Sequence, residues 1–181
     1  TINELVKSHQ ITIVTQPDRP AGRGKQLRSS EIAQTYPDAL KPKDESELQK
    51  ILQGSDLLIT IGYGRILSSA SLQIPKYGGI NLHFSLLPNW RGAAPVQRAI
   101  EAGDRISGVT VFQMDAGMDT GPIWHQIEYE IPTEASSNEL FDSLSDLACS
   151  SGVVSLDLPI FLPLHCFLCG TGFSVPTIPE I

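Results

Sequence analysis

Residues 80–121 read INLHFSLLPNWRGAAPVQRAIEAGDRISGVTVFQMDAGMDTG, and their pattern decides the fold. The stretch begins with a short apolar segment, Ile80–Phe84, that is typical of a strand. A loop at Pro88–Arg91 and a helix at Ala93–Ala102, ended by Gly103, lead to a second apolar strand at Gly108–Met114. Strands that alternate with helices predict βαβ units and a mainly parallel sheet.

The residues on either side continue this alternation. The apolar run LLITIG at 57–62 predicts a strand that is buried on both faces of such a sheet. We therefore predict an α/β, Rossmann-like fold with flanking helices. The other predicted elements are the end of a helix at Thr1–Ser8, a strand at Ile11–Thr15, an exposed loop over 16–30, a helical turn at Glu31–Tyr36, a helix that starts at the capping box of Asp44 and Glu47, a short helix at Leu67–Leu72, an antiparallel strand at Ile123–Ile131, and a helix that starts at the capping box of Ser136 and Glu139.

Two polar side chains on the Ile80–Phe84 strand point to acyl-type transfer. Asn81 and His83 are two residues apart, so their side chains leave the same face of the strand. An amide can stabilise a developing oxyanion, and an imidazole can move protons near neutral pH. In parallel sheets the active crevice lies beyond the carboxyl ends of the strands, where we expect the turn that carries Asp115 and Asp119. Either carboxylate could orient the imidazole.

Composition limits the possible partners and compartments. The 181 residues carry a net charge of −7, and no Lys or Arg follows Arg105. The candidate phosphate-facing patch is the basic loop, which holds Arg19, Arg23, Lys25 and Arg28. No signal peptide or membrane span is visible, which predicts the bacterial cytoplasm or an organelle matrix and no membrane partner. Three cysteines do not make a disulfide framework.

The motifs NLHFSLLPNWRGAAPVQRAIEAGD and SGVTVFQMDAGMDTG resemble the formyltransferase domain of the methionyl-tRNA formyltransferase family. TQPDRPAGRGKQL, at residues 15–27, is similar to the inserted loop of that family, which meets the acceptor arm of the initiator tRNA. The resemblance covers roughly residues 1–147 and implies transfer of the formyl group of 10-formyltetrahydrofolate to methionyl-initiator tRNA in translation initiation.

The resemblance also implies roles for individual residues. Asn81, His83 and Asp119 correspond to the catalytic trio of the family, and Ser85, Leu86, Leu87 and Pro88 correspond to its folate-binding segment. Arg23 corresponds to a residue that engages tRNA, and Lys25 in the same loop is a second candidate. No metal is implied, and we expect a monomer whose partners are folate and tRNA.

Two departures from the family give further expectations. The family has a first strand upstream of Ser8, central in its sheet, and a second, barrel-like domain downstream. We expect an incomplete catalytic domain at 1–147, with that first strand missing and unpaired backbone on its two neighbours, and hence poor stability and weak activity. Residues 148–181 form an apolar tail with neither helical nor strand period, which we interpret as not native to the domain.

Several alternatives remain open. The chain could be another folate-dependent formyltransferase, a formyltetrahydrofolate hydrolase, or an inactive remnant of the tRNA enzyme. Trp90 and Arg91 could brace their loop or touch substrate, and the basic loop could simply be solvated. His165, Cys166 and Cys169 make one knuckle, which without a second pair is weak support for zinc.

Overall fold

The computed structural model describes residues 9–21, 26–150 and 163–168, with backbone only for Ala21, Gln26 and the last six. These ranges contain eight strands and five helices, and helices and strands alternate between Glu45 and Gln113 as the sequence predicts. The elements are β1 (Gln10–Val14), β2 (Arg19–Ala21), β3 (Gln26–Arg28), α1 (Glu31–Thr35), α2 (Glu45–Leu52), β4 (Leu57–Ile61), α3 (Ser69–Leu72), β5 (Gly79–His83), α4 (Pro95–Ala102), β6 (Ile106–Gln113), β7 (Ile123–Glu130), α5 (Ser137–Ser150) and β8 (Pro163–Leu168).

Six of the strands form one mixed sheet in the order β1–β8–β4–β5–β6–β7. The first four run parallel to one another, whereas β6 is antiparallel to β5 and β7 is antiparallel to β6. Every residue of β4 is buried, as its unbroken apolar run predicts. The predicted mainly parallel α/β sheet is therefore confirmed.

Capping residues begin two of the helices where the sequence predicts them. The Asp44 side chain accepts the Glu47 backbone N–H at 2.9 Å at the start of α2. Before α5, the Ser136 backbone N–H donates to the Glu139 carboxylate at 2.8 Å, and the Glu139 N–H donates to the Ser136 hydroxyl at 3.3 Å. The Ser136 backbone and hydroxyl hydrogen bonds hold the pKa of Glu139 below its usual value.

The two faces of the sheet bury different clusters, and this leaves room for a site on one of them. On one face α4 and α5 pack Val96, Ala99, Leu140 and Leu144 against the strands. On the other face α2 and α3 cover only part of the sheet, with Leu48, Leu52 and Leu72 around Leu58 of β4. The rest of that second face, at β5 and β6, carries Asn81, His83 and Thr110, and loops rather than helices cover it.

Two predictions about chain segments are wrong. The expected exposed loop over 16–30 contains β2 and β3, which pair as antiparallel strands with Arg19 opposite Arg28. The carboxyl ends of β5 and β6 do not meet, because the two strands are antiparallel: Ile80 lies opposite Gln113, and His83 lies opposite Thr110. The loop 114–122 must therefore run back about 10 Å along the sheet to reach the end of β5.

The expectation that a missing strand leaves its neighbours unpaired is also wrong for β1 and β4. β8 lies between them and pairs in parallel with both, so that Cys166 is opposite Ile13 on one side and Ile59 on the other. Part of the predicted tail is thus a strand of the sheet. The sequence did not predict this strand because a strand that is buried on both faces shows no alternation of apolar and polar residues. Pro159 and Pro163 also interrupt the apolar run around it.

Proline at position 166 tests this strand. Cys166→Pro removes a backbone donor from the interior of the sheet, so we expect the free energy of unfolding to fall by at least about 2 kcal/mol. Thermal unfolding followed by circular dichroism measures the loss. Cys166→Ala is the control because it removes the same thiol and keeps the backbone N–H. Equal melting temperatures for the two variants would contradict the pairing of β8.

In the described part of the chain, no helix is long and apolar enough to cross a membrane.

Candidate active site

Asn81 and His83 lie on the same face of β5, as their spacing predicts. Residues of two loops, Trp90 and Asp119, lie next to the His83 ring. His83 is 6% exposed, and its Nε2 atom is 2.9 Å from the Trp90 carbonyl oxygen. Since a carbonyl only accepts, Nε2 carries a proton and donates it. In a neutral imidazole the lone pair is then on Nδ1, which is therefore the nitrogen that can take up a proton.

Asp119 faces that second nitrogen. Its Oδ2 atom is 3.8 Å from His83 Nδ1 and accepts the Gly92 N–H at 2.7 Å. At 3.8 Å the carboxylate is beyond hydrogen-bond distance of a neutral imidazole, but close enough to stabilise an imidazolium. The bond that orients the ring comes from the Trp90 carbonyl, a backbone group that sequence reasoning did not identify.

Asp115, the other candidate, has a structural role. Its carboxylate accepts the Gly117 N–H at 2.9 Å and the Thr120 hydroxyl at 2.8 Å, so it caps the turn that precedes Asp119. The structure brings Asp119, and not Asp115, to His83.

Trp90 braces the loop through its side chain. The indole Nε1–H donates to the Asp104 carboxylate at 2.6 Å. This bond fixes Trp90, whose backbone carbonyl accepts the hydrogen bond from His83. Trp90 and Asp119 have φ angles of 55° and 53°, in the left-handed region that non-glycine residues rarely adopt. Such conformations cluster at functional sites, where surrounding contacts maintain them.

The segment Ser85–Pro88 is held by Thr110 of β6. The Thr110 hydroxyl donates to the Ser85 carbonyl at 2.6 Å and accepts the Leu87 N–H at 3.1 Å. Gln126 of β7 donates to the Leu87 carbonyl at 2.8 Å and to the Thr110 hydroxyl at 2.9 Å. A buried hydroxyl and an amide from two later strands thus fix the main chain of this segment, which contains the cis Leu87–Pro88 peptide bond.

Removal of the Thr110 hydroxyl is expected to destabilise the fold. Thr110→Val keeps the side-chain volume but leaves the Ser85 carbonyl and the Leu87 N–H without their buried partner, at a cost of about 2 kcal/mol. Urea denaturation measures the loss. Thr133→Val, at an exposed position, is the control and should change stability little. A Thr110→Val protein as stable as the control would rule out the network.

A cleft of about 310 Å³ opens between the loop that follows β5 and the loop 114–122. Leu87, Pro88 and Arg91 line one side, and Asp119, Thr120, Gly121 and Ile123 line the other. The cleft therefore connects the Ser85–Pro88 segment with the carboxylate that faces His83, and its volume is in the range of small-molecule sites.

Two groups of predicted site residues fall outside this geometry. Arg23 and Lys25 lie outside the described residues, as do the side chains of His165, Cys166 and Cys169. Where side chains are described, no group of three or more His, Cys, Asp or Glu residues could hold a metal ion.

A sequence profile of the family described as formyl transferase matches residues 1–154. The chain belongs to the formyl transferase family. Two curated relatives carry the name methionyl-tRNA formyltransferase. The one from Hydrogenovibrio crunogenus is 44% identical over 156 residues, which cover 81% of this chain and 49% of the relative. The one from Chromohalobacter salexigens is 46% identical over 163 residues, or 84% and 50% of the two chains. The chain thus spans about half the length of these relatives.

Solved structures confirm the fold of the chain. A phosphoribosylglycinamide formyltransferase from Bacillus halodurans superposes with a TM-score of 0.64 at 21% identity, over 88% of this chain and 90% of that one. A glycinamide ribonucleotide transformylase from Symbiobacterium toebii gives 0.62 at 23% identity, over 77% and 81%.

Proposed function

We propose that this chain carries the formyl-transfer site of a methionyl-tRNA formyltransferase. The donor is 10-formyltetrahydrofolate, and the acceptor is the α-amine of methionine esterified to initiator tRNA. The observation that carries the proposal is the arrangement of Asp119 beside the His83 imidazole, on the face of β5 that presents Asn81. The identity of 44–46% to relatives of that name supports the choice of acceptor.

The residues divide the reaction between them. The methionyl amine attacks the formyl carbon, a C–N bond forms, and negative charge develops on the formyl oxygen. Asn81 donates its side-chain N–H to that oxygen, an interaction typically worth about 3–4 kcal/mol in the transition state. The bond between the formyl carbon and folate N10 then breaks, and N10 needs a proton.

His83 moves that proton. Nδ1 takes it from the attacking amine while Nε2 stays bonded to the Trp90 carbonyl, so the ring becomes an imidazolium without turning. The Asp119 carboxylate, 3.8 Å away, stabilises that positive charge until the proton passes to N10. Since the proton leaves the amine and arrives on the folate, the enzyme is unchanged at the end.

The cleft gives the donor a place beside these groups. Ser85, Leu86, Leu87 and Pro88 would bind the folate, with the main chain at Leu87 held by Thr110 and Gln126. Leu87 and Pro88 line the same cleft as Asp119, which keeps the formyl carbon within reach of the proton-transfer group.

The basic loop would meet the tRNA. Arg19 and Arg28 are both exposed and lie directly opposite each other on β2 and β3, which flank Arg23 and Lys25 in the sequence. Like charges opposite each other on paired strands are destabilising unless an anion lies between or beside them. The phosphates of an acceptor arm supply such an anion.

The test is a formyl-transfer assay with three acceptors run side by side: charged initiator tRNA, glycinamide ribonucleotide and water. We expect formyl-methionyl-tRNA as the product and no release of free formate above background. Transfer to glycinamide ribonucleotide, or formate release without an acceptor, would assign the chain to another folate enzyme. Folate binding without any transfer would identify an inactive remnant.

A further inference from the structure

The buried strand β4 contains one hydroxyl among aliphatic side chains, and it lies against the proposed site. β4 reads LLITI, and Thr60, its fourth residue, is 2% exposed. A buried hydroxyl without a partner is costly, so its partner determines its role. The parallel register of β4 and β5 puts Thr60 opposite Asn81.

The contacts of Thr60 single out the Asn81 side chain. The Thr60 hydroxyl is 2.8 Å from Asn81 Oδ1, and it donates its proton there. The Ile80 carbonyl oxygen at 3.2 Å and the Met114 sulfur at 3.3 Å are the next acceptors. Because a hydroxyl has a single proton, the shortest of the three contacts is the main one.

That hydrogen bond decides which end of the amide is available to substrate. An asparagine side chain can present either its oxygen or its NH₂ group by turning about the last bond. With Oδ1 bonded to Thr60, the Nδ2 group is the one left to donate, and none of the described contacts engages it. Asn81 is only half-buried, and it lies on the face of β5 that also carries His83.

We propose that Thr60 is a positioning residue for formyl transfer. Its hydroxyl holds the Asn81 amide with the NH₂ group directed to the developing oxyanion, and Thr60 itself touches no reacting atom. The proposal rests on the proposed function, since it requires Asn81 to act on the formyl oxygen. A merely structural Thr60 would satisfy the Ile80 carbonyl and would affect stability alone.

Kinetics of two variants separate these roles. Thr60→Val keeps shape and removes the proton, and we expect kcat for formyl transfer to fall about three- to tenfold with the KM for the folate little changed. Thr60→Ser restores the hydroxyl and should restore kcat. Ser55→Ala is the control: its hydroxyl is also buried and donates to the Leu52 carbonyl at 2.6 Å, away from the cleft. This control should lower the melting temperature and leave kcat unchanged.

A double-mutant cycle with Asn81→Ala distinguishes failure of this proposal from failure of the proposed function. If Thr60 acts through Asn81, Thr60→Val has no further effect on kcat in the Asn81→Ala background. Equal losses in both backgrounds would overturn the positioning role and leave the function intact. An Asn81→Ala enzyme as active as the parent would also overturn the positioning role, whereas a parent chain that forms no formyl-methionyl-tRNA would overturn the proposed function.

NMR of the chain without substrate provides a readout that needs no turnover. We expect one set of Asn81 side-chain amide resonances in the parent and in Thr60→Ser, and broadened or doubled resonances in Thr60→Val as the amide samples both orientations. An unchanged Asn81 amide in Thr60→Val would overturn the proposal, whatever the activity of the chain.

Discussion

Formyl transfer by His83→Ala is expected to be about 10²–10⁴-fold slower than by the parent chain, with most of the loss in kcat. The imidazole is the group beside Asp119 that can accept a proton while its other nitrogen stays bonded to the Trp90 carbonyl. Without it, the attacking amine must lose its proton to solvent in a cleft that the loops partly close. The rate of formyl-methionyl-tRNA formation at saturating folate measures the effect.

A second histidine offers a matched control for this substitution. His125 is exposed on β7, and His125→Ala should leave kcat unchanged. The melting temperature of His83→Ala should also be measured, because the variant loses the hydrogen bond to Trp90. A well-folded His83→Ala protein with normal kcat would show that proton transfer does not pass through this ring.

Asn81→Ala is expected to lower kcat about 10²–10³-fold and to leave the KM for the folate nearly unchanged. In the proposed mechanism the side-chain N–H meets the formyl oxygen only as negative charge develops there, so its loss raises the free energy of the transition state more than that of the bound ground state. Steady-state kinetics with varied folate separate the two parameters. Asn138→Ala, an exposed position on α5, is the control for the same substitution. A raised KM with unchanged kcat would mean that Asn81 binds the donor rather than stabilising the oxyanion.

Local features of the sequence were sufficient to predict most of the fold. The apolar run of β4, the capping boxes before α2 and α5, and the two-residue spacing of Asn81 and His83 are each read within one element. Their physical basis is local, because side-chain period and capping depend on neighbours in the chain.

Features that depend on distant pairing could not be predicted in this way. The antiparallel direction of β6 reversed the expected position of the loop that carries Asp119, and β8 inserts between two strands that precede it by about a hundred residues or more. The alternation of apolar and polar residues along a strand does not indicate the direction of the strand or which strand it pairs with.

The candidate site could be predicted in part from the sequence. Asn81, His83 and Asp119 come from motif resemblance, but the carbonyl of Trp90 is a backbone group, and backbone acceptors leave no sequence signal. Thr60, Thr110 and Gln126 read as ordinary strand residues until the register puts them beside the site. The only sequence feature that could have indicated one of them is Thr60, a single polar residue inside the apolar run of β4.

The most direct test of the account is a crystal structure of the chain with a stable 10-formyl folate analogue. The distance to measure joins the formyl oxygen to Asn81 Nδ2. We expect about 2.7–3.1 Å, with the pteridine in the cleft along Leu87 and Pro88 and the formyl carbon on the His83 side. A donor bound with its formyl group away from Asn81 and His83 would contradict the assignment of these residues to formyl transfer.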